Sequence, residues 1–174
     1  MSLSAAYCAG LFDGEGYVRI DVYKFPSPRK STRYQLTAGI GMCHWPTIKA
    51  LHDQFGGTLF KNTSAHKRDP KNRMQYHWLI ASGAARDFLA LIAPHSITKR
   101  DEIVLAIRFQ RHLDRYCAKM QGGARRYDDE HNRLRRRVFA FRQHLADRIK
   151  GLKKVSYDVE VTGDPLVNGG AVQS

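Results

Sequence analysis

The sequence predicts an α+β protein: one antiparallel sheet built from two hairpins, helices on one face of it, and a helical extension at the C-terminus. Two observations carry that prediction. Alternating stretches rich in β-branched and aromatic residues come in pairs, each pair separated by a basic loop. Stretches with helical spacing, capping residues and stop signals surround the pairs, giving the order α-β-β-α-β-β-α. With 174 residues, 43% of them hydrophobic, the chain is long enough for one substantial core.

Ser2 or Ser4 caps a first helix expected to end near Asp13, with Gly14 and Gly16 as its stop. Residues 17–24 alternate as a strand, and "FPSPRKST" breaks it with two prolines and a basic loop. "RYQLTAGIGMCH" (33–44) reads as the return strand. "WPTIKALHDQFGG" is a helix with Pro46 in its first turn and Gly56 just past its end. The pattern then repeats as strand "TLFKN", basic loop "TSAHKRDPKNR" and strand "MQYHWLIA". "SGAARDFLALIAP" is a helix stopped by Pro94, and Thr98 is expected to cap a longer helix over 99–120. We read 1–121 as the core unit. Residues 122–154 form a basic extension after Gly122-Gly123 with a helix over 128–150, and 155–174 form a loose tail.

Net charge is +13, from 29 Lys and Arg against 16 Asp and Glu, which favours a polyanionic partner, nucleic acid ahead of an anionic membrane surface. Residues 1–60 hold six of the basic residues, 61–121 twelve and 122–154 eleven, so the excess rises toward the C-terminus. Cys8, Cys43 and Cys117 form no CxxC pair, which points to a reducing compartment and buried free thiols. No membrane span and no signal peptide are apparent, so the expected location is intracellular, cytoplasmic or organellar, and not secreted.

The stretch "YCAGLFDGEGYVRI" (7–20) poses a physical problem. Ala6, Gly10 and Gly14 fall on one helical stripe with Ala9 beside them, a surface that lets a second helix approach closely. Asp13 and Glu15 follow at the helix end where the macrodipole is already negative. If the partner helix is the same helix of a second copy, two such ends converge, and a divalent cation would neutralise them. A plain acidic turn would leave the small-residue stripe without a reason.

"CAGLFDGEG" (8–16) resembles the motif of the LAGLIDADG homing endonucleases, with Cys8 in place of the leading leucine and Glu15 in place of the final aspartate. The resemblance covers roughly residues 2–110, and the motif occurs once. It implies a homodimer whose saddle-shaped sheet sits on double-stranded DNA and cuts both strands at a long, near-palindromic site with Mg²⁺ or Mn²⁺. It assigns Glu15 as metal ligand and catalytic carboxylate, the Gly14 carbonyl as a second ligand, and Ala6, Ala9, Gly10 and Asp13 to the helix pair. Lys99, in "ITKRDEIVLAI", matches the position of a basic residue near the scissile phosphate, with Arg100 as its fallback. His44 stands where the family places a polar residue that positions water, or it is simply a corner residue. The alternative with the same fold is a non-cleaving binder: an intron maturase holding RNA, or a DNA-binding regulator.

For contacts to DNA the residues themselves nominate the hairpins. Along the strands these are Arg19, Asp21, Tyr23, Lys24, Arg33, Gln35 and Thr37, then Lys61, Asn62, Arg73, Gln75 and His77; at the tips they are Arg29, Lys30, Lys67, Arg68 and Lys71. Period two places Arg19, Asp21 and Tyr23 opposite Val18, Ile20 and Val22, so the apolar set faces the helices. A strand of ~11 residues spans ~36 Å, comparable to ~10 base pairs. On the C-terminal helix, Arg133, Arg135, Arg136, Arg137, Arg142 and Arg148 are read as phosphate contacts, or as a solvated face.

Overall fold

The computed structural model describes residues 2–24, 32–63, 67, 71, 73–120 and 129–161, with side chains through 116 and over 136–152. In chain order the elements are α1 (Ala5–Glu15), β1 (Gly16–Lys24), β2 (Thr32–Met42), α2 (Trp45–Phe55), β3 (Thr58–Asn62), β4 (Gln75–Ala81), α3 (Ser82–Ile92), α4 (Arg100–Met120) and α5 (Asp129–Val161). The strands form one open sheet in the order β1-β2-β4-β3, antiparallel throughout. Two hairpins therefore join side by side through β2 and β4. Arg29, Lys30 and Arg68 lie outside the described residues.

Alternation decides the two faces of the sheet. Val18 and Ile20 of β1 pair with Ala38 and Leu36 of β2, and Ile40 pairs with Trp78 of β4; all are buried on the helix side. On that side Phe88 of α3 meets Phe12 of α1, Phe55 of α2 and Trp78 edge to face, and Phe55 lies tilted against Trp78, with ring centroids 5.0–6.0 Å apart. Trp78 satisfies its indole by donating to the Gly56 carbonyl at 2.7 Å. Gly56 and Gly57 sit at φ +69° and +98°, where an L side chain is strained, so α2 ends there as its glycines predict.

α1 runs two residues further than expected. Ser4 caps it by accepting the Tyr7 N–H, and Gly14 is helical; the stop is Gly16, whose N–H donates to the Phe12 carbonyl. A Cβ at Gly16 would stand 2.4 Å from the Phe12 ring, so the turn from α1 into β1 requires glycine there. β2, conversely, ends at Met42 rather than at His44. Cys43 is exposed beyond it, which corrects the expectation that it is a buried thiol; Cys8 is buried, and burial raises its thiol pKa.

α5 is longer than the expected 128–150 helix and packs into the main core. Leu145, Ala146 and Ile149 join the same hydrophobic cluster as Phe12 and Leu36, and Tyr34 of β2 donates its hydroxyl to Gln143 at 3.2 Å. Arg142 is only 6% exposed and lies 4.9 Å from the Tyr116 ring, so it is a stacked core residue and not a phosphate contact.

Candidate metal centre and nucleic-acid interface

The two acids of α1 meet different partners. The Asp13 carboxylate accepts from Ser96 Oγ at 2.6 Å and from the backbone N–H groups of Ile97 (2.7 Å), Lys99 (3.2 Å) and Thr98 (3.3 Å). It therefore caps α4 from outside the helix, against the positive end of its dipole. Burial by itself would raise the Asp13 pKa; the donors from Ile97, Ser96, Lys99 and Thr98 outweigh it and hold the carboxyl below its ordinary 3.8. Lys99 returns the arrangement, its ammonium donating to the carbonyls of Phe12 and Asp13 at the negative end of α1. The expected cap from Thr98 is replaced by Asp13, and the Thr98 hydroxyl donates to the Asp13 carbonyl instead.

Glu15, the last residue of α1, is exposed. On the same helix Ala6, Gly10 and Gly14 are exposed, and a Cβ at Gly10 or Gly14 would meet nothing within 4 Å. Ala9 does not share that surface: it is fully buried in the chain's own core beside Cys8 and Phe12, one helical step around from Gly10, so its assignment to a dimer contact is corrected. Asp13 is likewise turned toward α4 of its own chain. Among the described residues no three His, Cys, Asp or Glu side chains cluster. One chain thus offers a carboxylate and a neighbouring main-chain carbonyl, hard oxygen donors that suit Mg²⁺ or Mn²⁺ once phosphate, water or a second copy completes the set.

Lys99 and Arg100 stand beside this end of α1, Lys99 through its contacts and Arg100 exposed as the first residue of α4. His44 is exposed in the turn that leads from β2 into α2. It precedes α2, with its Nδ1 2.8 Å from the Thr47 hydroxyl, and lies four residues beyond Ile40, the β2 partner of Gly16.

The outer face of the sheet carries most of the expected reading residues. Asp21 is the hub of β1: Arg19 Nε lies 3.0 and 3.1 Å from its two oxygens, and the buried Thr37 donates its hydroxyl to it at 2.8 Å. That orients Arg19, whose side chain is 52% exposed, with the terminal nitrogens left for an acceptor. Tyr23, Arg33 and Gln75 are exposed, Gln35 and Asn62 are half-buried, and Lys67, Lys71 and Arg73 are exposed beyond the strands. Lys24 and Lys61 differ from the rest. Register sets both on the helix-side parity, and Lys61 leans over the Tyr76 ring at 6.0 Å. His77 shares the outer face but lies flat on Phe60 (4.8 Å, 6°), with both ring nitrogens buried, and burial lowers its pKa.

Sequence reading missed Tyr17, Phe60 and Leu79, which cover the middle of the outer face, and Ser96, which holds Asp13. A signal was present in "AGIGM": Gly39 and Gly41 lie two apart on one face of a strand interior. A Cβ at Gly39 would meet Leu79 at 2.4 Å and Tyr17 at 2.8 Å, and one at Gly41 would meet His77 at 2.6 Å.

No family model and no curated protein sequence matches the chain. Among solved structures it is similar to the homing endonuclease I-CvuI in complex with its target, with a TM-score of 0.63 at 14% identity over 85% of this chain and 80% of that one. It is similar to the archaeal intron-encoded homing endonuclease I-Vdi141I complexed with DNA, at TM-score 0.62 and 14% identity, covering 85% and 82%. For the meganuclease I-SmaMI bound to uncleaveable DNA the values are 0.60 and 12%, covering 83% of this chain but 44% of that one. The fold is therefore that of the LAGLIDADG homing endonucleases.

Proposed function

We propose that the protein is a site-specific endodeoxyribonuclease that acts as a homodimer, with Mg²⁺ or Mn²⁺, on a long and roughly palindromic DNA duplex. The observation that carries this reading is the outward half of α1. Two helical glycines with open space above them end in an exposed carboxylate. Glycine inside a helix costs about 1 kcal/mol relative to alanine. Nothing among the described residues requires it at 10 or 14, so a close partner helix is its reason. A second copy docked there brings two Glu15 carboxylates and two Gly14 carbonyls together.

A divalent cation held by those oxygens would supply Lewis-acid chemistry at the phosphodiester. The protein's own residues do the rest. Two of the three ammonium donors of Lys99 bind α1 carbonyls, and the third is available to a phosphate oxygen as charge develops on it. Arg100 extends the same positive edge. Arg19, fixed by Asp21, reads a base edge in the major groove, guanine being the usual partner of arginine, while Tyr23, Arg33, Gln35 and Gln75 share its face. Lys67, Lys71 and Arg73 are suited to phosphates at the flanks. The DNA complexes of I-CvuI and I-Vdi141I support the choice of duplex DNA as partner.

The test is cleavage selection from a randomised duplex library with Mg²⁺ and, separately, with Ca²⁺. Discrete double-strand ends at one near-palindromic sequence in Mg²⁺ are expected, and Glu15→Gln should abolish cutting while specific binding persists. Specific binding with no cutting in Mg²⁺ or Mn²⁺ would leave a DNA-binding protein and refute the nuclease assignment.

A further inference from the structure

A groove of about 650 Å³ opens on the side of the molecule away from the sheet, between the end of α3, the outer face of α4 and α5. Its floor is apolar, made by Val104, Ile107 and Phe141, and Val104 is 50% exposed. Along one edge stand Arg108, Arg111 and Arg115. All three are exposed, and among the described residues none is within ion-pair distance of a carboxylate; the nearby Asp114 is engaged by Arg86 and Gln110. Positions 108, 111 and 115 follow helical spacing, so the three cations line one face over ~10 Å of helix. The Arg108 guanidinium lies over the Phe141 ring at 5.7 Å, and the His112 ring lies 4.7 Å from the same phenyl.

We propose that this groove binds a single nucleic-acid strand, with an unpaired base against Phe141 and its phosphates on Arg108, Arg111 and Arg115. The chemistry of the lining selects this occupant. Guanidinium groups match phosphate oxygens and tolerate stacking, whereas an apolar aromatic floor is idle against a phosphate and suits a base face. A duplex keeps its bases stacked inside and would leave the floor empty. An acidic peptide would match the arginines but bring no planar apolar group. A bilayer surface is met by protruding faces, and this one is concave. His112 strengthens the floor: burial first, then the charges of Arg142 and Arg115, lowers its pKa, so it stacks as a neutral ring.

Arg108, Arg111 and Arg115 lie ~12–22 Å along α4 from Arg100, beside the proposed cleavage centre, and either site can fail without the other. The full chain is titrated into a fluorescent 12-nucleotide oligo(U), its oligo(dT) counterpart and a 12-base-pair duplex. The triple variant R108Q/R111Q/R115Q should weaken both single strands at least 30-fold and reduce the salt dependence by ~2, at ~0.7 per phosphate contact. Duplex affinity should stay within twofold. R19Q/R33Q, on the sheet, should do the reverse. The conservative R108K/R111K/R115K variant retains charge and reports on folding, and should recover part of the binding. Crosslinks from a 4-thiouridine oligomer should fall on the peptide containing Phe141, and a preference for oligo(U) over oligo(dT) would identify RNA as the source. Equal loss of duplex and single-strand binding in the triple variant would overturn the proposal. So would crosslinks confined to the sheet, or groove-dependent binding of polyglutamate or anionic vesicles in place of the oligomers.

Discussion

Replacing Asp13 by asparagine isolates the joint between α1 and α4. The native carboxylate takes four donors, three of them main-chain N–H groups in the turn that leads into α4. Hydrogen bonds to a charged acceptor contribute ~1.5–3 kcal/mol each against ~0.5–1.5 for neutral ones, and a charge at a helix N-terminus adds ~0.3–2. Asparagine keeps one acceptor oxygen but loses the charge and turns an NH₂ toward donors. Asp13 is only half-buried, so water recovers part of the difference, and we expect a loss of about 2 kcal/mol at pH 7. For a chain of this size that is a Tm lower by ~4–8 °C. The native carboxyl pKa is depressed below 3.8, so its stabilisation is fully present above that value and is lost as pH falls through the native pKa. Urea unfolding of both proteins from pH 7 downward should therefore show a gap that closes below pH 3.8. A gap under ~0.5 kcal/mol at pH 7, or one that does not change with pH, would refute the capping role.

Gly10→Ala and Gly14→Ala should each stabilise the chain by up to ~1 kcal/mol in urea melts at concentrations where it is monomeric, since neither Cβ meets an obstacle. The same variants should weaken dimerisation and cleavage, measured by sedimentation and by the cutting assay; unchanged dimerisation would remove α1 from the interface. Ser82, at the junction of β4 and α3, has φ +54°, a region that costs a side chain ~1–2 kcal/mol, so Ser82→Gly should raise Tm. Trp78→Phe leaves the Gly56 carbonyl without its donor and opens space in the aromatic cluster, and should cost ~2–3 kcal/mol in chemical denaturation.

Local pattern made the strands legible. "TLFKN" is β3 residue for residue, and alternation from Tyr17 put Val18 and Ile20 on the helix side, where they are buried. Ends that depend on distant atoms were less legible. α1 passes through Gly14 because the Phe12 ring and carbonyl fix the turn at Gly16, and no local preference distinguishes the two glycines. The burial of Arg142 escaped the basic-helix reading for the same reason: Tyr116, on another helix, decides it. Lys24 and Lys61 were grouped with the reading face by polarity, although parity counted from Val18 already excluded Lys24. His77 was read as a polar contact because its stacking partner, Phe60, is brought opposite only by the β3–β4 register.

Spacing alone explains why two acids two residues apart serve different ends. At 100° per residue, Asp13 and Glu15 point ~200° apart around α1, so a helix with one side on the core cannot direct both inward. Phe12 and Ala9 fix the inner side, and Asp13, next to Phe12, reaches α4. Glu15, ~100° around the helix from Gly14, is exposed at the last residue of α1, and the described residues give it no partner. Lys99 cancels part of the negative end of α1 on the Asp13 side only. The charge that stays uncompensated is the outward one, and a cation placed there would meet a carboxylate and a helix terminus of the same sign. Exchanging the acids should separate their roles. Asp13→Asn should act on unfolding and Glu15→Gln on cutting, and a Glu15→Gln variant that lost stability instead would show that both acids serve the fold.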